Sequence, residues 1–126
     1  MYKNLLFVCT AGVHRSVTAR DMLDGQEVRR MQLWEKYELK YHAKSAGLSP
    51  TCENQVTQEL INWADEVYCF EQRHRDKLRK KFKVKARCLH VPDVYDVGSE
   101  ELKKTLVSKL SDLLFSLPQG ELSCIN

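Results

Sequence analysis

Cys9, Arg15 and Ser16 are the residues of this chain best placed, by type and spacing, to do chemistry. Cys9 ends the apolar run Leu5-Leu6-Phe7-Val8, five residues follow, and Arg15 and Ser16 come next. Those five residues (Thr10, Ala11, Gly12, Val13 and His14) suffice to curl a loop whose backbone N–H groups point inward at one phosphate. Arg15 can close the ring with a planar, bidentate fork on two oxygens. Ser16 would open a helix, whose N-terminus also favours negative charge. The field that holds a phosphate also favours the thiolate form of a cysteine, so Cys9 is the candidate nucleophile.

Cleaving a phosphoester with a thiolate also requires a proton donor for the leaving oxygen. The segment His90-Val91-Pro92-Asp93-Val94-Tyr95-Asp96-Val97-Gly98 offers two carboxylates. Asp93 follows the proline at the end of an apolar stretch and is read as the acid; Asp96 is read as a turn or capping residue. Tyr95 is a candidate wall of the pocket, stacking on an aromatic substrate ring.

The elements that must position these residues alternate between short apolar strands and helical segments. Strands are expected at 4–8, 39–45, 66–70 and 87–91. Helices are expected at 16–32, from a cap at Asn54 through Ala64, at 72–81, and from a cap at Ser99 along the stripe Leu102, Leu106, Leu110, Leu113, Leu114 and Leu117. Ala19, Met22, Leu23 and Met31 are expected on the inner side of the first helix. Strands alternating with helices predict an α/β fold: one doubly wound domain over residues 1–126, with a parallel sheet covered on both faces. In such folds ligands bind beyond the carboxyl ends of the strands. The loops after the first and fourth strands therefore open on one edge and bring Cys9 and Asp93 face to face.

Composition agrees with a globular domain that has a real core: 126 residues, 43% of them hydrophobic, and a formal net charge of +3. The basic run from Arg73 to Lys83 reads as the solvated face of a helix and its exit; a patch for an acidic partner is the alternative. Cys9, Cys52, Cys69, Cys88 and Cys124 are odd in number, irregularly spaced and contain no CxxC pair, so neither a zinc site nor a disulfide framework is indicated. The N-terminal apolar run is too short for a signal peptide or membrane span. A reducing, cytoplasmic setting is expected. The tail from Pro118 to Asn126 has no clear reading beyond a loose terminus.

With these segments in view, the chain resembles the low-molecular-weight protein tyrosine phosphatases. The similar segments are Leu6-Phe7-Val8-Cys9…Arg15-Ser16, Lys44-Ser45-Ala46-Gly47, Trp63-Ala64-Asp65-Glu66-Val67-Tyr68 and Val91-Pro92-Asp93-Val94-Tyr95, in matching order from Asn4 to about Leu117. The resemblance implies a four-stranded parallel sheet in the order 2-1-3-4 and a phosphocysteine intermediate on Cys9. It implies that Arg15 binds the phosphoryl group and that Ser16 hydrogen-bonds the Cys9 sulfur. Asp93 would protonate the leaving phenol and then activate water. No metal and no cofactor are implied. The expected partner is a phosphotyrosine-bearing protein or a small aryl phosphate, with no nucleic acid and no membrane.

The chain departs from the family pattern in several places. Ala11-Gly12 stands where Gly-Asn is usual, His14 where many members carry a protective second cysteine, and Asp93-Val94 where Asp-Pro is usual. The stretch from Ser45 to Trp63 is short, which implies a more open site. Val13 resembles the aliphatic residue of the tyrosine-specific members; a threonine there resembles the relatives that act on phosphoarginine. Two further readings stand beside the phosphatase. One is a phosphate-binding module with weak turnover, motivated by Ala11, Gly12 and Val94. The other is a thioredoxin-coupled arsenate reductase, which would need a resolving cysteine pair such as Cys69 and Cys88.

Overall fold

In the computed structural model of the chain, residues 2–11, 15–32 and 35–110 are described, with the backbone alone for 27–32 and 35–39. The elements are β1 (Tyr2–Cys9), α1 (Arg15–Leu23), β2 (Glu27–Gln32), β3 (Glu35–Gly47), α2 (Gln58–Trp63), β4 (Glu66–Cys69), α3 (Gln72–Phe82), β5 (Arg87–Cys88) and α4 (Glu100–Lys109). They form one sheet in the order β2-β3-β1-β4-β5. β3, β1, β4 and β5 run parallel, which is the expected four-stranded core in the order 2-1-3-4.

β2 is an addition to that core. It lies antiparallel on the outer edge of β3, with Glu27 opposite Lys40 and Gln32 opposite Glu35. The helix expected over 16–32 therefore stops at Leu23. Gly25 takes a left-handed φ of 81°, the Asp24 side chain accepts the Ala43 N–H, and the chain reverses into the edge strand. Met31 thus falls in β2 rather than on a helix, while Ala19 and Leu23 are fully buried on α1 as expected.

β1 is the spine. Its side chains alternate between two cores: Leu5, Phe7 and Cys9 face one layer, and Leu6 and Val8 face the other. The first layer packs α1 and α4 through Ala19, Leu23, Leu102, Leu106 and Leu110. The second packs Val56, Leu78 of α3 and Ala86, with Leu60 and Ile61 of α2 at its margin. Leu5 to Val8 are wholly buried, as a central parallel strand covered on both faces requires.

Two further boundaries differ from expectation. α2 is capped by Thr57, whose hydroxyl accepts the Leu60 N–H. Asn54 instead ties down the exit of β3: its side chain donates to the Ser45 carbonyl and its own carbonyl accepts the Gly47 N–H. The last strand is regular only over Arg87–Cys88. Leu89 and Val91 still donate to the Cys69 and Phe70 carbonyls, but His90 between them sits at a left-handed φ of 55°. Ser99 caps α4 as expected, its hydroxyl accepting the Leu102 N–H. Leu113, Leu114, Leu117 and the tail at 118–126 lie outside the described residues.

Candidate active site

β1 delivers Cys9 to the carboxyl edge of the sheet, and α1 starts at Arg15. Both residues are almost wholly buried, as is Ser16. Cys9 Sγ lies 3.1 Å from Ser16 Oγ, so the hydroxyl reaches the sulfur across the base of the loop. The loop's first turn is held from β3's exit, where the Leu48 and Ser49 N–H groups donate to the Cys9 and Thr10 carbonyls. Ala11 avoids the left-handed region, since the non-glycine residues described there are Lys83 and His90, so the methyl that replaces a glycine hydrogen carries no φ strain. Gly12, Val13 and His14 lie outside the described residues.

Arg15 carries the most informative geometry. Its Nη1 donates to the Val91 carbonyl at 2.6 Å and pairs with Glu71 Oε2 at 2.8 Å. The guanidinium carbon lies 5.6 Å from the centre of the Phe70 ring. Among the described residues its buried Nε has no hydrogen-bond partner, and Asp93 Oδ1 stands 3.9 Å away, beyond hydrogen-bond reach. A buried, unpartnered N–H of a permanent cation is costly unless an anion completes it.

The sheet edge thus brings together Cys9, Thr10, Ala11, Arg15, Ser16 and, from the loop after β5, Asp93. Asp93 is about half exposed. Asp96 sits apart in its own turn, its carbonyl accepting the Ser99 N–H. Tyr95 packs against the α1/α4 core, and its hydroxyl accepts from Thr105 Oγ1 at 3.4 Å. The acid loop is anchored at its far end, where the Gly98 N–H donates to Thr18 Oγ1 at 3.0 Å.

One part of the site was not foreseen. The first turn of α3 grips both ends of the loop. Glu71, its N-cap, pairs with Arg15 and forms a two-point bridge to Arg73, with both contacts at 3.1 Å. The bonds from Arg73, and then from Arg15, hold the Glu71 carboxyl below the usual carboxylate range. His74 is buried three residues on. Its Nδ1 accepts the Glu71 N–H at 3.2 Å, which leaves the proton on Nε2, 2.9 Å from Thr10 Oγ1. Burial first, then the charge on Arg15, pushes the His74 pKa down to about 4, so the ring is neutral. Arg73 Nη2 also donates to Thr10 Oγ1, at 3.3 Å. The pattern Glu71-x-x-His74 at a strand-to-helix junction on the ligand edge was the available signal.

Cys69 and Cys88 are register partners on β4 and β5. Cys69 belongs to the α2/α3 core, on the opposite face of the sheet from Cys9, and burial followed by the neighbouring Cys88 pushes its thiol up to about 12. Cys9, Cys52, Cys69 and Cys88 are all free thiols.

The fold is shared with a solved structure. The YwlE arginine phosphatase from Geobacillus stearothermophilus superposes with a TM-score of 0.59 over 96% of each chain, at 19% sequence identity. The fold is the same. No family model matches the chain, and no curated protein sequence does. Among the described residues, no helix is long and apolar enough to cross a membrane.

Proposed function

We propose that this chain is a cysteine-dependent phosphatase of the low-molecular-weight type, acting on phosphotyrosine and other aryl phosphate monoesters. The observation that carries the reading is the buried Arg15 Nε, without a hydrogen-bond partner among the described residues, with Asp93 3.9 Å away and Cys9 paired to Ser16 at the start of the same loop. An incoming phosphoryl oxygen would satisfy it. Residues 10–14, from Thr10 to His14, would supply the rest of the cradle.

In the first step the Cys9 thiolate attacks phosphorus. The S–P bond forms as the P–O bond to the aryl group breaks, and Asp93 gives its proton to the leaving oxygen. In the second step Asp93 takes a proton from water as that water attacks phosphorus. This releases inorganic phosphate and returns the Cys9 thiolate. The Ser16 hydroxyl stabilises the thiolate on both sides of the cycle. Arg15 spans the charge that builds on the equatorial oxygens, and Glu71 and the Val91 carbonyl fix its orientation beforehand.

Val13 supports aryl over guanidinium substrates, because its aliphatic side chain offers no hydrogen-bond partner to an arginine. The solved neighbour is an arginine phosphatase, so the choice is tested by offering phosphotyrosine and phosphoarginine peptides side by side. Against the arsenate reductase stands the pair Cys69 and Cys88, which packs away from Cys9 and includes a thiol far from its ionised form.

The deciding experiment is hydrolysis of p-nitrophenyl phosphate at about pH 5 to 7, where a thiolate and a carboxylic acid can coexist. Activity is expected to vanish in Cys9→Ser and to fall by about 100-fold or more in Arg15→Lys and Asp93→Asn. An inactive parent protein that still binds phosphate would mark a binding module instead. If Asp96→Asn cripples turnover and Asp93→Asn does not, the acid is misassigned.

A further inference from the structure

Charge is strongly segregated along this chain. Nine of its twenty basic residues and one of its seventeen acidic ones lie between Arg73 and Arg87, leaving eleven basic and sixteen acidic residues elsewhere. Within that segment Arg75, Arg79, Lys83 and Lys85 line a surface pocket of about 270 Å³ together with Val84 and Ala86. Arg75, Arg79 and Lys83 follow one another at four-residue steps along α3 and its left-handed C-cap. None of the four cations makes an ion pair or a side-chain hydrogen bond among the described residues. The helix dipole accounts for cations in the last turn, but not for Arg75 or Lys85, nor for four unneutralised charges around one concavity.

The same helix begins at the candidate active site, where Arg73 touches Thr10. From Arg73 to Lys83 the helix rises about 15 Å, a distance that about five residues of extended peptide cover. The pocket cations thus sit on, or just past the end of, the helix whose first turn reaches the rim of the phosphate site, about 15 Å along its axis from Arg73 to Lys83.

We propose that these cations and their pocket dock an acidic segment of the protein substrate, lying within about five residues of the phosphorylated side chain. The proposal rests on the phosphatase reading above. The occupant is a short acidic peptide segment rather than a nucleic acid, for two reasons. The exposed large apolar residues described (Tyr2, Val94, Val97 and Val107) all lie outside the basic segment, and its one aromatic, Phe82, is partly buried against the second core, so no row of exposed rings accompanies the charges for bases to stack on. The remainder of the chain is net acidic and would repel a long polyanion, whereas a short segment sees only the local field.

The test compares two phosphotyrosine peptides, one with glutamates three to six residues from the phosphotyrosine and one with alanines there, on the parent protein and on a variant carrying Arg75→Gln, Arg79→Gln, Lys83→Gln and Lys85→Gln. A second variant, Lys83→Gln with Lys85→Gln, leaves the helix interior intact in case the first is unstable. At low ionic strength the parent is expected to prefer the acidic peptide by about tenfold in kcat/KM, and the variants to lose that preference while hydrolysing p-nitrophenyl phosphate like the parent. High salt is expected to erase the preference in the parent. No preference, or a preference that survives in the variants, overturns the proposal. So does a loss of oligonucleotide binding in variants whose peptide binding is unchanged. If the parent hydrolyses nothing, the phosphatase reading fails, and fluorescence anisotropy with the acidic peptide decides this one: weaker binding by the variants sustains it, and equal binding overturns it.

Discussion

His74 makes the stability of this protein depend on pH in a way that can be worked out beforehand. The ring is buried between Thr10 and the Glu71 backbone, and the charged groups around it are Arg15, Arg73 and Lys77, opposed by Glu71. A proton added at Nδ1 would face the Glu71 N–H, setting donor against donor. Burial first, and then the charge on Arg15, holds the pKa at about 4 in the folded protein, against an ordinary 6.5 in the unfolded chain. Between those values the unfolded chain binds more protons, so stability falls as pH falls. At about pH 7.5 both states are neutral and the term is close to zero. At about pH 5 the unfolded imidazole is almost wholly protonated and the folded one only about a tenth, which costs the fold roughly 2 kcal/mol, rising to roughly 3 kcal/mol near pH 4.

The perturbation is His74→Gln, which removes the titration while keeping an amide able to bond Thr10. Urea denaturation followed by far-ultraviolet circular dichroism would be measured at several values from about pH 7.5 down to about pH 5. The wild type is expected to lose about 2 kcal/mol more than the variant over that range. The variant starts lower at neutral pH, and the gap closes on acidification. A nitrogen-resolved NMR titration gives the second readout, with the proton on Nε2 and no protonation until below about pH 5. Parallel pH curves for the two proteins, or a ring that titrates near 6.5, would refute the assigned tautomer and the clamp built on it.

Glu71→Gln removes the charged partner of a buried arginine, and hydrogen bonds to charged groups are worth roughly 1.5–3 kcal/mol, so kcat/KM on p-nitrophenyl phosphate is expected to drop by about 10- to 100-fold. An unchanged rate would mean that the Val91 carbonyl alone orients Arg15. Leu106→Ala empties a wholly buried site between α4 and the sheet and is expected to cost about 2–5 kcal/mol in urea unfolding, with the site chemistry intact in the folded fraction. Gly25→Ala has space for its methyl but not the φ of 81°, so a loss of about 1 kcal/mol is expected from backbone strain alone.

The residues that were legible in the sequence are those whose type and neighbours agree. Leu5 to Val8 is a continuous apolar run ending in Cys9, and only a central parallel strand buries such a run on both faces. Ser99 before a leucine stripe announces α4 in the same way. The errors arose where one local signal stood against a tertiary one. Helical spacing carried the first helix past Asp24-Gly25, although that pair is a turn signal, and pairing with β3 claimed Glu27 to Gln32 as an edge strand. Asn54 has the chemistry of a cap, but two hydrogen-bonding groups at the end of β3, the Ser45 carbonyl and the Gly47 N–H, claim it, and Thr57 caps instead. Glu71, Arg73 and His74 were hidden by their company. In a run so rich in charge each reads as solvated, and only the fold shows that α3 starts against the loop of Cys9.

That placement fixes both described ends of the loop. Its entry is fixed by Leu48 and Ser49 through the Cys9 and Thr10 carbonyls, and again by His74 through the Thr10 hydroxyl. Its exit is fixed at Arg15 by Glu71 and Val91. These anchors come from three separate connections of the sheet, and none uses a side chain between Ala11 and His14. Of the groups that would do the chemistry, Cys9 and Arg15 are the ones that the anchors hold. Preorganisation is thereby moved out of the loop and into the strand ends and α3, where the neutral ring of His74 and the ionised carboxylate of Glu71 are its least replaceable parts.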